Sequence, residues 1–174
     1  VGGSQQGITI VAGVLLEPDD AVWVEDPGYF GSHTAFVGWG ARVVPVPVDD
    51  GGLSVAVGRK RAPNASLVHV TPTHQFPLGK TMPLQRRAEL LEWARSADAW
   101  ILEDDYDSEF RYSGAPLPAL QGIDADQRVI YLGSFSKSIF SGLRLAYLVV
   151  PTDLVPAFQA MRQAFGGPPP VLEQ

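Results

Sequence analysis

The chain has 174 residues, 45% of them hydrophobic, a formal net charge of −6 and no cysteine. That size makes one domain with a buried core the expectation. The missing cysteines exclude a disulfide framework, thiolate catalysis and cysteine-based zinc or iron–sulfur centres. The acidic balance argues against this segment carrying a nucleic-acid footprint of its own. No run of about 18 uncharged apolar residues occurs, and Val1-Gly2-Gly3-Ser4 lacks the basic and apolar regions of a secretory leader, so a soluble cytoplasmic protein without membrane contact is expected. The opening without Met and the closing Gly166-Gly167-Pro168-Pro169-Pro170 lead us to expect a piece of a longer protein.

In chain order, the pattern predicts a helix over 4–16, a strand over 21–25, a helix over 29–37, strands over 42–46 and 66–71, a helix over 83–97, strands over 99–103, 128–132 and 145–150, and a helix over 152–165. The run Arg59-Lys60-Arg61 reads as a solvated loop. In the helix over 83–97, Pro83 suits a first turn, and Leu84, Ala88, Leu91 and Trp93 or Ala94 fall near one face. Short strands apolar on both sides, alternating with longer amphipathic runs, indicate an α/β architecture: a mainly parallel sheet between two helical layers.

Polar groups gather just after the strands: Asp26-Pro27-Gly28-Tyr29, Thr71-Pro72-Thr73-His74, Asp104-Asp105-Tyr106 and Gly133-Ser134-Phe135-Ser136-Lys137. Ligands of open α/β sheets bind outside the carboxyl ends of the strands, so these four segments should converge on one site.

The chain has three lysines, Lys60, Lys80 and Lys137. Lys60 sits among like charges and Lys80 follows a Pro-rich turn, so both read as exposed. Lys137 lies among hydroxyl and apolar residues without a neighbouring carboxylate, where partial desolvation favours the neutral amine that a nucleophile needs. A surface lysine in a loop is the commoner explanation of that string alone. Asp104 and Asp105 end an apolar strand and suit either a ligand carboxylate or a helix cap. Ser134, Ser136 and Arg144 form a set suited to a phosphate dianion. Gly3-Ser4-Gln5 opens a predicted helix, whose N-terminus favours an anion, although the string is also an ordinary turn. Tyr29 could stack on a planar ligand or simply pack.

Together these residues resemble a known family. Ser134-Phe135-Ser136-Lys137 followed by Ser141-Gly142-Leu143-Arg144 looks like the Schiff-base lysine motif of fold type I class I/II aminotransferases, which bind pyridoxal 5'-phosphate (PLP). The strings Glu103-Asp104-Asp105-Tyr106-Asp107-Ser108-Glu109-Phe110-Arg111-Tyr112 and Thr71-Pro72-Thr73-His74-Gln75-Phe76-Pro77-Leu78-Gly79 are more similar to MocR-type regulators, in which a GntR-type winged helix is fused to an aminotransferase-like domain.

The resemblance implies that residues 1–174 form one PLP-binding, three-layer αβα large domain. It implies Lys137 as the Schiff-base (internal aldimine) residue, Asp104 at the pyridine nitrogen, by its 33-residue separation from Lys137, and Tyr106 at the ring hydroxyl. Ser134, Ser136 and Arg144 would hold the phosphate with Ser4 and Gln5, and Tyr29 would stack on the ring. Ordinary aminotransferases have Asn-Pro-x-Gly where this chain has Phe76-Pro77-Leu78-Gly79, so His74 or Gln75 would replace the asparagine at the ring hydroxyl. The implied function is a regulator that senses an amino acid or amine through an imine with PLP, as a homodimer, with DNA bound by a separate N-terminal domain. The alternatives are a PLP-dependent transaminase of aminoadipate or aromatic type and a scaffold that has lost the cofactor, which the intact lysine, aspartate, tyrosine and serine set disfavours.

Overall fold

The computed structural model describes residues 1–107, 117–135, 137 and 144–166. The order of elements is α1 (Ser4–Leu15), β1 (Ala21–Asp26), α2 (Phe30–Gly38), β2 (Arg42–Asp49), β3 (Gly52–Leu53), α3 (Val55–Arg61), β4 (Leu67–Val70), α4 (Leu84–Ala97), β5 (Trp100–Asp105), α5 (Leu120–Ile123), β6 (Val129–Ser134), β7 (Ala146–Val149), a 3₁₀ turn (Thr152–Leu154) and α6 (Val155–Ala164). The strands form one sheet in the order β3-β2-β1-β4-β5-β6-β7. From β2 to β6 the neighbours are parallel, and the outer strands β3 and β7 run antiparallel to theirs.

Alternation along each strand sends successive side chains to opposite faces. Trp23, Val68 and Ile101 pack with Leu90 and Trp93 of α4, Val55 of α3 and Leu120 of α5. Val22, Leu67, Leu102 and Ile130 pack with Ile8 and Val11 of α1, Phe36 of α2 and Phe158 of α6. The result is the expected three layers. Trp23 and Trp93 stack at 3.8 Å between ring centroids, and their indole N–H groups donate to the carbonyls of Ala62 and Pro63.

The structure corrects three local expectations. Arg59, Lys60 and Arg61 close α3 rather than lying in a loop, since cations suit a helix C-terminus, though all three are solvated. The buried face of α4 is Arg87, Leu90, Trp93 and Ala94, while Leu84 and Ala88 face solvent and Pro83 stands just outside the helix as its cap. A buried arginine displaces the face that apolar spacing alone suggests. Lys80 is half-buried, with Nζ 2.7 Å from Asp50 Oδ1.

Strand β2 also runs on through Pro45 and Pro47. Arg61 donates to the Pro45 carbonyl, as suits a strand largely unpaired on its outer side.

Candidate functional site

From β1 the chain turns to β2 on one side, and from β4 it proceeds to β5 on the other, so the strand order reverses between β1 and β4. A ligand crevice belongs outside the carboxyl ends at such a point. A cavity of about 260 Å³ lies there, lined by Ser4, Tyr29, Thr71, Phe76, Asp104, Tyr106, Ser134 and Lys137. All four segments expected to converge contribute to it.

The first turn of α1 forms one end. Gly3 has φ 99°, a conformation open to glycine, and no side chain among the described residues caps the helix. A Cβ on Gly3 would stand 3.7 Å from Arg144 Nε, so the guanidinium lies against this helix N-terminus. Ser134, buried at the end of β6, lines the same cavity. Uncapped N–H groups, a hydroxyl and a guanidinium form a cradle suited to a phosphate.

Adjacent strand positions separate the two aspartates. Asp105 shares its face with Ile101 and Glu103, and its Oδ2 accepts the Tyr131 hydroxyl at 2.6 Å. Burial and that carboxylate push the Tyr131 phenol well above its usual range. Asp104 shares the opposite face with Leu102 and lines the cavity. Its Oδ2 is 3.4 Å from His69 Nε2, and its Oδ1 is buried without a hydrogen-bond partner among the described residues. Leaving such an acceptor unmet costs about 1–3 kcal/mol, which a ligand N–H would recover.

Aromatic rings form the outer wall. Phe76 stands edge-on to Tyr29 and Tyr106, each 6.4 Å away between centroids. The Tyr29 hydroxyl donates to Gln5 Oε1, and the Gln5 amide donates to the Gly31 carbonyl. The Tyr106 hydroxyl donates to the His74 carbonyl at 2.9 Å. Burial first, then the carboxylates around it, raise its pKa to about 12, so it remains a hydrogen-bond donor at neutral pH. Behind the wall, Glu25 accepts from Thr71 N, Thr71 Oγ1 and Gln75 Nε2, and Gln75 also donates to the Pro27 and Phe76 carbonyls. Burial raises the Glu25 pKa, partly opposed by the Thr71 hydrogen bond and the His69 imidazole.

Ser4, Tyr29, Asp104, Tyr106, Ser134 and Lys137 thus come together, although Lys137 is exposed at the open side of the cavity and not partly desolvated as its neighbours in sequence suggest. Gln5 stands behind Tyr29, Arg144 lies at the α1 N-terminus, and Ser136 is outside the described residues. The His74 side chain is exposed and 2.5 Å from Asp107, while Gln75 is buried behind the wall. Phe76 itself faces the cavity at the asparagine position. Thr71 lies in one of the four segments expected to converge but is not named there as a site residue, and His69 and Glu25 behind it are not singled out; a charged or imidazole residue inside an otherwise apolar strand is the signal for the latter two. Among the described residues, no group of three His, Asp or Glu side chains is placed to hold a metal, and no helix is long and apolar enough to cross a membrane.

Comparison with known proteins agrees with this geometry. The family described as aminotransferase class I and II matches residues 1–172. The probable rhizopine catabolism regulatory protein MocR of Rhizobium meliloti is 41% identical over 174 residues, 100% of this chain and 35% of the relative. The HTH-type transcriptional regulator TauR of Rhodobacter capsulatus is 42% identical over 168 residues, 97% of this chain and 34% of its own length. The chain therefore spans about a third of the curated regulators it matches. Among solved structures, LysN, the α-aminoadipate aminotransferase of Thermus thermophilus complexed with N-(5'-phosphopyridoxyl)-L-leucine, superposes with a TM-score of 0.86 at 31% identity, covering 94% of this chain and 43% of that one. The architecture is that of the fold type I aminotransferases, and the chain belongs to the aminotransferase class I and II family.

Proposed function

We propose that this chain is the PLP-binding, effector-sensing part of a MocR/GntR-type transcriptional regulator. The observation that carries the cofactor assignment is Asp104 Oδ1, a buried acceptor without a partner among the described residues, on the wall of a cavity that also holds a lysine and a phosphate-type cradle. When bound, PLP supplies an electrophilic carbonyl and a protonated, electron-withdrawing ring. Asp104 would accept the ring N–H and Tyr106 would meet the ring hydroxyl, with the His74 carbonyl holding Tyr106 from the rim. Ser134, Arg144 and the N–H groups at Ser4 and Gln5 would hold the phosphate, with Ser136 the further hydroxyl that the family resemblance implies. Tyr29 covers the ring, and Lys137 supplies the amine for covalent attachment.

The regulator reading is supported by relatives that match nearly all of this chain and carry regulatory names. In that reading the whole protein is a cytoplasmic homodimer that binds DNA through an N-terminal domain and senses an amino acid or amine at the cofactor. Phe76 supports sensing over turnover. A phenyl group cannot hydrogen-bond the ring hydroxyl, so proton transfer is less controlled while imine formation remains open. The LysN likeness favours a second reading, a transaminase of aminoadipate or aromatic type.

The test mixes full-length protein, PLP and a panel of amino compounds, following the cofactor spectrum and the affinity for operator DNA together. The regulator reading expects at least a tenfold change in DNA affinity with slow turnover. Multiple rapid turnovers with no change in DNA affinity would favour the transaminase.

The aspartates offer a second test. Asp104→Asn should weaken PLP binding by about 10- to 100-fold, the scale of one hydrogen bond to a charged group, with little change in thermal unfolding of the apoprotein. Asp105→Asn should leave cofactor affinity within about threefold, because that side chain faces Tyr131 instead. Equal losses in both variants, measured by fluorescence titration, would reverse the assignment.

A further inference from the structure

His69 sits in the middle of β4 with 1% of its surface exposed, in a strand otherwise made of Leu67, Val68 and Val70. An imidazole there loses its hydration, so its polar atoms need partners. On the β5 side, Nε2 is 3.4 Å from Asp104 Oδ2. On the β1 side, the imidazole electrostatically favours the ionised form of the buried Glu25 carboxyl. From α2, the Phe36 ring approaches edge-on at 6.3 Å between centroids. The charged groups facing His69 are therefore Asp104 and Glu25, two carboxylates on the strands flanking its own.

The arrangement is directional. His69 engages one oxygen of Asp104, and the other, Oδ1, is the unpartnered atom of a residue that lines the cavity. His69 is not among the lining residues, so it reaches a bound group only through Asp104. We propose that His69 is a positioning residue of the cofactor site, which holds Oδ2 of Asp104 and so fixes that carboxylate with Oδ1 turned to the cavity. Replacing it by an apolar ring removes a partner of Oδ2 and frees the carboxylate to turn, so that Oδ1 is no longer held where it meets a ring N–H. The inference rests on reading the cavity as a PLP site.

The test uses the full-length protein and PLP as the probe, with His69→Phe, His69→Gln and Asp104→Asn alone and His69→Phe combined with Asp104→Asn. His69→Phe should lower PLP affinity at least tenfold in the native background and less than twofold in the Asp104→Asn background, because its effect passes through that carboxylate. His69→Gln, which keeps a donor, should stay within about threefold of the native affinity. Equal losses from His69→Phe in both backgrounds, or no loss in either, would overturn the proposal. Should His69→Phe fail to fold, His69→Leu in the same two backgrounds decides: equal losses in both, or no loss in either, overturn the role. A native protein that binds no PLP would instead contradict the cofactor reading itself.

Discussion

Replacing Lys137 by alanine in the full-length protein is expected to abolish borohydride-trapped attachment of PLP, lowering the yield of reduced adduct at least 100-fold. Lys137 alone among the three lysines lines the cavity. Lys60 is exposed in the last turn of α3, and Lys80 is held against Asp50. Borohydride fixes an imine only where an amine reaches the carbonyl, and no other lysine replaces the amine at this position. The Lys137 side chain is exposed, so its truncation should leave the fold unchanged. The check is the absorbance and mass of the reduced, denatured protein, with circular dichroism as control. Native-level adduct in the alanine variant would contradict the assignment.

Replacing Arg87 by leucine should destabilise the chain by about 3–5 kcal/mol, the range for removing one partner of a buried ion pair. Arg87 is fully buried, donates to the carbonyls of Met82, Pro118 and Pro72, and lies 3.8 Å from Glu103 Oε1. Glu103 in turn accepts from the N–H groups of Leu120 and Gln121, tying α5 to the sheet. Burial raises the Glu103 pKa, and Arg87 is one of the groups opposing that rise. Removing Arg87 raises it further.

The folded-state pKa then lies above the unfolded value, near 4.3. The stability it confers is therefore complete below that pH and is lost as pH climbs through the folded-state pKa. The deficit of Arg87→Leu should accordingly be larger at pH 8 than at pH 5. Urea unfolding at both pH values checks this, with Arg95→Leu, which breaks only the exposed pair with Glu92, staying within about 1 kcal/mol of native. An Arg87→Leu deficit that is small or independent of pH would mean that Arg87 does not balance Glu103.

The contrast between Lys137 and Arg87 shows what a linear sequence displays. Strands apolar on both sides announce a covered parallel sheet, and the rule that ligands bind at carboxyl ends brings the segments at Asp26, Thr71, Asp104 and Ser134 together before any coordinates. Arg87 is hidden because a charged residue in an amphipathic helix reads as solvated. Its burial depends on carbonyls at Pro72 and Pro118, far along the chain, and it displaces the packed face of α4. The choice between Asp104 and Asp105 is also not legible from the string itself. Alternation places them on opposite faces, but which face holds the cavity depends on the helical layers, and only the family resemblance selects Asp104. His69 is easily passed over because a single imidazole within four strand residues is only a weak departure from the apolar pattern.

The central claim is that the cavity between Ser4, Asp104 and Lys137 is a PLP site with Lys137 as the attachment point. Its most direct test is to load full-length protein with PLP, reduce with borohydride, digest and map the phosphopyridoxyl mass by tandem mass spectrometry. The account predicts the modification on the peptide containing Lys137 and on no other lysine. Modification at Lys60 or Lys80, or no modification under saturating PLP, would contradict it.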